Sequence, residues 1–126
     1  METKKIYELH EEHKEWLNKV AFYKDEATIM QNRVSEIASK NTSKEISGAI
    51  EHFQNQLIIQ RNNLDELKHN ITEHESYLVN KAKENPTAVD HKSVNDHPKM
   101  RDALNSFEKV FNDLRKELNV FLAKTM

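Results

Sequence analysis

A single glycine, Gly48, occurs among the 126 residues of this chain, and this scarcity restricts the fold more than any other feature. Strand-rich folds and alternating β/α folds use glycine where the backbone turns tightly, bulges or approaches a phosphate group. Helices that are joined by short loops have no such requirement. We therefore expect an all-α protein, and the chain length suits one helical domain spanning residues 1–126.

Charge balance and missing residue types exclude several classes of function. The chain has no cysteine, so it cannot form disulfides, thiolate zinc sites or a cysteine nucleophile. Lysine and arginine (19) nearly balance aspartate and glutamate (21), which argues against a basic surface for nucleic acid or an anionic membrane. No apolar run has the length of a membrane span or of a signal-peptide core. We expect a cytoplasmic protein that binds neither nucleic acid nor membrane.

Three stripes of apolar residues predict three helices. Within each stripe the apolar residues recur at alternating spacings of three and four, the heptad spacing of helices that pack like a coiled coil. The stripes predict long coiled-coil-like helices at about residues 4–38, 43–83 and 98–124. Since the first connection is short, the first two helices should be antiparallel neighbours. The expected architecture is an antiparallel three-helix bundle.

The two connections differ in character. Thr42 followed by Glu45 fits a capping box at the start of the second helix. The segment at about 84–97 has no continuous stripe, and it begins with an Asn-Pro pair and ends with a His-Pro pair, which favours a loop. We expect Asp96 to cap the third helix, with Pro98 in its first turn.

A polar pair interrupts the first two stripes near their middle. If the helices pair across the short connection, Tyr23 lies opposite Gln60. A buried polar pair is satisfied only when the two helices are correctly aligned, so it acts as a register device. We interpret this pair as such a device rather than as a ligand contact.

Histidines cluster at the end of the predicted bundle that is opposite the short connection. His13 and His74 replace apolar residues in the first and second stripes, and His10 lies beside the first stripe. The same alignment places His13 opposite Ile71 and His10 opposite His74. The three imidazoles then fall within about one helical turn of one another.

This cluster permits three interpretations. Histidines near the end of a bundle are most often hydrogen-bonded to water or glutamate, so our first expectation is that there is no cofactor. Alternatively, His10, His13 and His74, with His97 and a carboxylate such as Asp96 nearby, could complete a zinc or iron site. Asp102 is a second possible carboxylate. The third interpretation is a pH-sensitive element, because an imidazole with a pKa near about 6.5 becomes charged in mild acid.

Motifs that would indicate catalysis are missing from the sequence. There is no glycine-rich phosphate loop, no nucleophile elbow and no His-Glu-x-x-His string. Serine and threonine residues fall at helix ends and in loops rather than beside an inward histidine. We therefore expect no enzymatic activity.

Four apolar residues lie outside the stripes, and in an isolated three-helix bundle some of them must be exposed. Phe22 and Ile29 are one heptad apart on the first helix, while Ile58 and Ile59 follow a stripe residue on the second. The third helix could cover them, but an apolar cluster in so polar a chain more often marks an interface. The leading interpretation is an interaction or scaffolding module that contacts a second copy, as a homodimer, or another helical protein. The alternative is a metal-binding or pH-responsive bundle.

Overall fold

The computed structural model describes residues 2–40, 43–84 and 91–125, all but one of which lie in helices. Helix α1 spans Glu2–Lys40, α2 spans Lys44–Glu84 and α3 spans His91–Thr125. No strand occurs in these three ranges, so the predicted all-α three-helix bundle is confirmed. No helix within them combines the length and the apolar character that crossing a membrane would require.

Contacts between side chains establish that α1 and α2 run in opposite directions. Lys24 Nζ lies 3.0 Å from Asp65 Oδ1. About two turns further along α1, Gln31 Oε1 accepts a hydrogen bond from Arg61 Nη1 at 2.6 Å. Residue numbers therefore rise along α1 while they fall along α2. The short connection between the helices produces this antiparallel pairing.

Helix α3 runs parallel to α1 and antiparallel to α2. Along α1, Lys19 pairs with Glu108 (Nζ to Oε1, 3.4 Å), and Glu26 then lies 3.8 Å from the guanidinium of Arg115. The two α1 residues are seven apart, and so are their two partners on α3, so residue numbers rise in the same direction along both helices. The bundle thus has an up, down, up order, and one end of it holds the start of α1, the end of α2 and the start of α3.

The predicted stripes line the interior of the bundle. Fully enclosed side chains come from all three helices and pack around one continuous axis; examples are Val34, Leu57, Leu64, Phe111 and Leu118. Burying one such side chain stabilises the fold by about 1.5–3 kcal/mol, so the core supplies most of the driving force.

The expected Tyr23–Gln60 pair does not form. Tyr23 Oη donates a hydrogen bond to Glu108 Oε2 of α3 at 2.7 Å, whereas buried Gln60 accepts one from Asn63 at 3.5 Å. Burial, together with the Glu108 carboxylate, raises the pKa of Tyr23. The prediction was wrong because it considered two helices, while α3 supplies a charged acceptor beside the tyrosine.

Helix α3 begins earlier than expected. It starts at His91 rather than 98, so Asp96 does not cap it and Pro98 lies inside it. Of the predicted 84–97 loop, residue 84 and residues 91–97 are helical, while residues 85–90 lie outside the described residues. Proline in a helix removes one backbone hydrogen bond. The contact of His97 with α1, described below, favours the helical backbone around Pro98.

The start of α2 is also capped by a different residue. The backbone N–H of Ile46 donates to Ser43 Oγ at 3.3 Å, so Ser43 is the N-cap, while Thr42 lies outside the described residues. Gly48 adopts ordinary helical backbone, and a Cβ at that position would meet open space. The single glycine is therefore not required by the conformation of the chain.

Replacing a core leucine should be far more damaging than replacing its exposed neighbour. Leu57 is fully buried, while Ile58 is 51% exposed. We expect Leu57→Ala to lower the free energy of unfolding by about 2–5 kcal/mol through the cavity it leaves. Ile58→Ala should change it by no more than about 0.5 kcal/mol. Urea unfolding followed by circular dichroism measures both, and equal losses would contradict the described packing.

Candidate metal centre

Three buried histidines, one from each helix, meet at the end of the bundle where α1 starts. His13 is 0% exposed, His74 is 7% exposed and His97 is 2% exposed. One ring nitrogen from each can be chosen so that all three lie within 4.8 Å of one another. Each histidine continues the stripe of its own helix, and the heptad spacing therefore directs all three inward. We refer to these residues as the His triad.

The rings of the His triad are in direct contact. His74 Nδ1 lies 2.9 Å from His13 Nε2, and these two rings meet edge to face, with centroids 4.9 Å apart. The His97 ring lies 5.0 Å from that of His13 and 5.8 Å from that of His74. No aliphatic side chain separates the imidazoles, so their nitrogens share one small volume.

A carboxylate holds His13 from the side facing away from this volume. Glu75 Oε2 accepts a hydrogen bond from His13 Nδ1 at 2.5 Å, and Glu75 Oε1 accepts one from His10 Nδ1. Since an ionised carboxylate only accepts, the proton of His13 lies on Nδ1. Its Nε2 lone pair is then directed toward the other two imidazoles.

A second carboxylate holds His97 in the corresponding way. Glu12 Oε1 lies 2.9 Å from His97 Nε2, while Arg101 donates two hydrogen bonds of 2.8 Å to the same carboxylate. The Arg101 hydrogen bonds lower the pKa of Glu12 to about 2, so it remains an acceptor at neutral pH. His97 therefore carries its proton on Nε2. Its buried Nδ1 has no hydrogen-bond partner among the described residues.

This arrangement resembles the outer shell that metal-binding histidines need. A metal-bound imidazole usually donates its other N–H to a carboxylate, which sets both the ring orientation and the tautomer. Glu75 does this for His13, and Glu12 does it for His97. Burial lowers the pKa of His13 and of His97, so both are neutral at pH 7, the form that binds metal.

Trp16 closes one side of the His triad. It lies one turn after His13 on α1, and its ring stacks on that of His97 with centroids 4.5 Å apart and planes tilted by 32°. Trp16 is itself 4% exposed, so it separates the His triad from the apolar core beyond it. The site is thereby shielded from water on this side.

The structure brings together a different set of histidines from that expected. The buried set is His13, His74 and His97, whereas the side chain of His10 is 44% exposed and contacts Glu75 at the rim. The alignment of α1 and α2 differs from the expected one by about one turn, since His13 meets His74 rather than Ile71. His10 is thereby moved to the edge of the cluster.

From the sequence, His97 is expected only near the cluster, although its spacing indicates that it belongs to the third stripe. Its spacing of three to Met100 and then four to Leu104 continues the third stripe backward. The following proline concealed this continuation. Neither Asp96 nor Asp102 belongs to the group of possible ligands.

The four apolar residues proposed as an interface are all partly solvent-accessible. Phe22 is 52% exposed, Ile29 50%, Ile58 51% and Ile59 47%, so α3 does not cover them. Phe22 and Ile29 lie on the side of α1 that borders α3, because their i−3 and i+4 neighbours contact α3. The other two lie on α2.

Val110 of α3 is another exposed apolar residue, with 51% of its surface accessible. His52 of α2 lies 3.3 Å from Glu117 of α3. Ile59 follows His52 by seven residues and Val110 precedes Glu117 by seven, so the two reach the same level of these antiparallel helices. Ile59 and Val110 are therefore neighbours across the α2–α3 seam.

Comparisons with known proteins add no constraint on this site. Neither the family models, nor the curated proteins, nor the solved structures show a significant match to this chain. Any function must therefore be argued from the geometry of the described residues.

Mild acid should destabilise the metal-free protein. The folded state lowers the pKa of His13 and of His97 below 6.5 through burial. The unfolded chain therefore binds more protons once the pH falls through about 6.5, and stability decreases with it. Folding lowers the pKa of Glu12 from 4.5 to about 2. The stability that this carboxylate contributes is therefore also lost as the pH falls, but only in stronger acid, below about pH 4.5.

Urea unfolding at pH 7.5, 6.0 and 5.0 in the presence of a chelator measures this effect. A variant carrying His13→Phe and His97→Phe should give a flatter profile between pH 7.5 and 5.0, because the two buried imidazoles are gone. Equal stability of the parent protein at pH 7.5 and pH 5.0 would show that the folded state does not disfavour their protonation.

Proposed function

We propose that this protein is a non-enzymatic helical bundle that binds one divalent ion of the zinc class through the His triad. The observation that carries the proposal is the burial of three imidazoles, one from each helix, with ligand atoms within 4.8 Å of one another. Zinc–nitrogen bonds of about 2.0–2.1 Å in a tetrahedron separate the ligand nitrogens by about 3.3 Å. Small ring movements from the contacts described above would reach that geometry.

The donor set supports zinc over other biological cations. Magnesium and calcium prefer oxygen ligands, whereas three imidazoles suit zinc and its late first-row neighbours. Non-haem iron commonly takes two histidines and one carboxylate. Here both adjacent carboxylates are occupied: Glu75 accepts from His10 and His13, and Glu12 accepts from His97 and Arg101. Zinc is therefore the preferred choice, and iron the less favoured one.

Binding at this position would connect all three helices. The His triad takes one ligand from each helix, so a bound ion joins α3 to the α1–α2 pair at the end of the bundle that lacks the short connection. A ligand that binds only the folded state stabilises it, and the gain grows with the logarithm of the free ligand concentration above the Kd. The proposed role is thus metal-dependent stabilisation and helix docking, rather than turnover.

Zinc should raise the stability of the parent protein and bind with a stoichiometry of one ion per chain. At a free zinc concentration 100-fold above the Kd, the expected gain in free energy of unfolding is about 2.7 kcal/mol. Isothermal titration gives the stoichiometry, and thermal unfolding gives the shift in Tm. In His97→Phe, which keeps a ring in the core, both the stoichiometric binding and the shift should be lost.

Two histidine variants serve as matched controls. His10→Ala removes the rim histidine, and His69→Ala removes an exposed histidine that lies 3.1 Å from Glu73 on α2. Both variants should retain one zinc per chain. If His97→Phe binds zinc as the parent does, or if His69→Ala abolishes binding, the ion sits elsewhere and the proposal is wrong. Far-ultraviolet circular dichroism establishes that each variant is folded.

Self-association is the second function that we propose. It is supported by the exposure of Ile59 and Val110, two apolar side chains that lie next to each other across the α2–α3 seam. Exposed apolar residues that are adjacent indicate an interface more strongly than isolated ones do. A second copy of this chain would bury them and thicken an otherwise narrow core.

Light scattering tests this second proposal directly. The parent protein should have the mass of a dimer, and Ile59→Asp should reduce it to a monomer while helicity is retained, because the buried charge has no partner. Val120→Asp is the control, since Val120 is 57% exposed but lies ten residues further along α3. A monomeric mass for the parent protein would exclude the homodimer.

A further inference from the structure

We infer that the metal ion held by the His triad takes its fourth ligand from solvent, through a groove between α2 and α3. This inference rests on the proposed metal-binding function and extends it. It assigns an exchangeable ligand position to the centre, occupied by water or by a small monodentate anion. A zinc site of purely structural type would instead be closed by a fourth protein ligand.

The first step is that the described residues offer three ligands and no fourth. The set of ligand atoms that lie close enough together contains only the His triad. Glu75 is the nearest carboxylate to His13, but both of its oxygens accept hydrogen bonds from histidine rings. Both oxygens of Glu12 are likewise engaged, by His97 and by the bidentate Arg101. Recruiting either carboxylate would break the contacts that orient the imidazoles.

One side of the centre borders a groove that is open to solvent. Trp16 stacks on His97 and covers the side toward the core. His74 is the most exposed member of the His triad, and it borders a groove between α2 and α3. The side chains that line this groove beside His74 are Asn70, Glu73, Tyr77, Asp96, Lys99 and Met100.

The groove carries more acidic than basic side chains. Glu73 and Asp96 place two carboxylates at its walls, with one ammonium group on Lys99. The excess of negative charge favours the approach of a hydrated cation. A groove lined by polar groups also admits the water that such a cation retains. The same passage therefore serves for metal entry and for exchange of the fourth ligand.

Cobalt(II) and azide provide the test. Four-coordinate Co²⁺ absorbs visible light much more strongly than six-coordinate Co²⁺, so its bands report the ligands of the loaded protein. We expect azide to shift these bands with one-site saturation in the parent protein. Asn70→Trp places a bulky ring one turn from His74 in the groove. This variant should bind azide, and release Co²⁺ to a chelator, several-fold more slowly than the parent protein. Asn62→Trp, an exposed position on the same helix but outside the groove, should match the parent.

The possible results distinguish a failure of this inference from a failure of the metal-binding proposal. Cobalt bands that depend on His97 but do not respond to saturating azide would leave metal binding intact and overturn the exchangeable ligand. An Asn70→Trp variant that behaves like Asn62→Trp would overturn the groove as the route. If Co²⁺ produces no four-coordinate bands, or if the bands persist in His97→Phe, both the metal proposal and the inference fail before azide is added.

Discussion

The burial of imidazole rings in the core stripes is the constraint on which the end of this bundle depends. A buried polar group without a partner costs about 1–3 kcal/mol, so each ring nitrogen needs an acceptor, a donor or a ligand. Glu75 serves His13, and Glu12 serves His97. Glu12 is held in turn by Arg101, which keeps it ionised. Two carboxylates and a guanidinium thus surround the His triad because its rings replace apolar side chains.

The same constraint explains why α3 is helical where its local sequence favours a loop. His97 and Arg101 are four residues apart, and both reach the carboxylate of Glu12. In a helix, residues at that spacing lie one turn apart on the same face. The Glu12 contacts therefore stabilise helical backbone across Pro98, although proline removes one backbone hydrogen bond there. Tertiary contact outweighs local preference in this segment.

The proposed functions concern the same pair of helices. The groove beside His74 and the adjacent Ile59 and Val110 all lie along the α2–α3 seam, at different levels of the bundle. A metal ion at the His triad would hold α3 against its neighbours, because the ion takes one ligand from each helix. Metal binding would then stabilise the helix arrangement on which a self-association surface at Ile59 and Val110 depends.

The three helices and the inward direction of His13 and His74 can be predicted from the amino-acid sequence alone. Both follow from the spacing of apolar residues, which is a local property of each helix. Which residues meet across the bundle was decided only by the tertiary structure. Helix alignment differed by about one turn from the simplest pairing, and this moved His10 to the rim. His97 joined the His triad because Glu12, distant in sequence, holds it there, and no local pattern encodes such a contact.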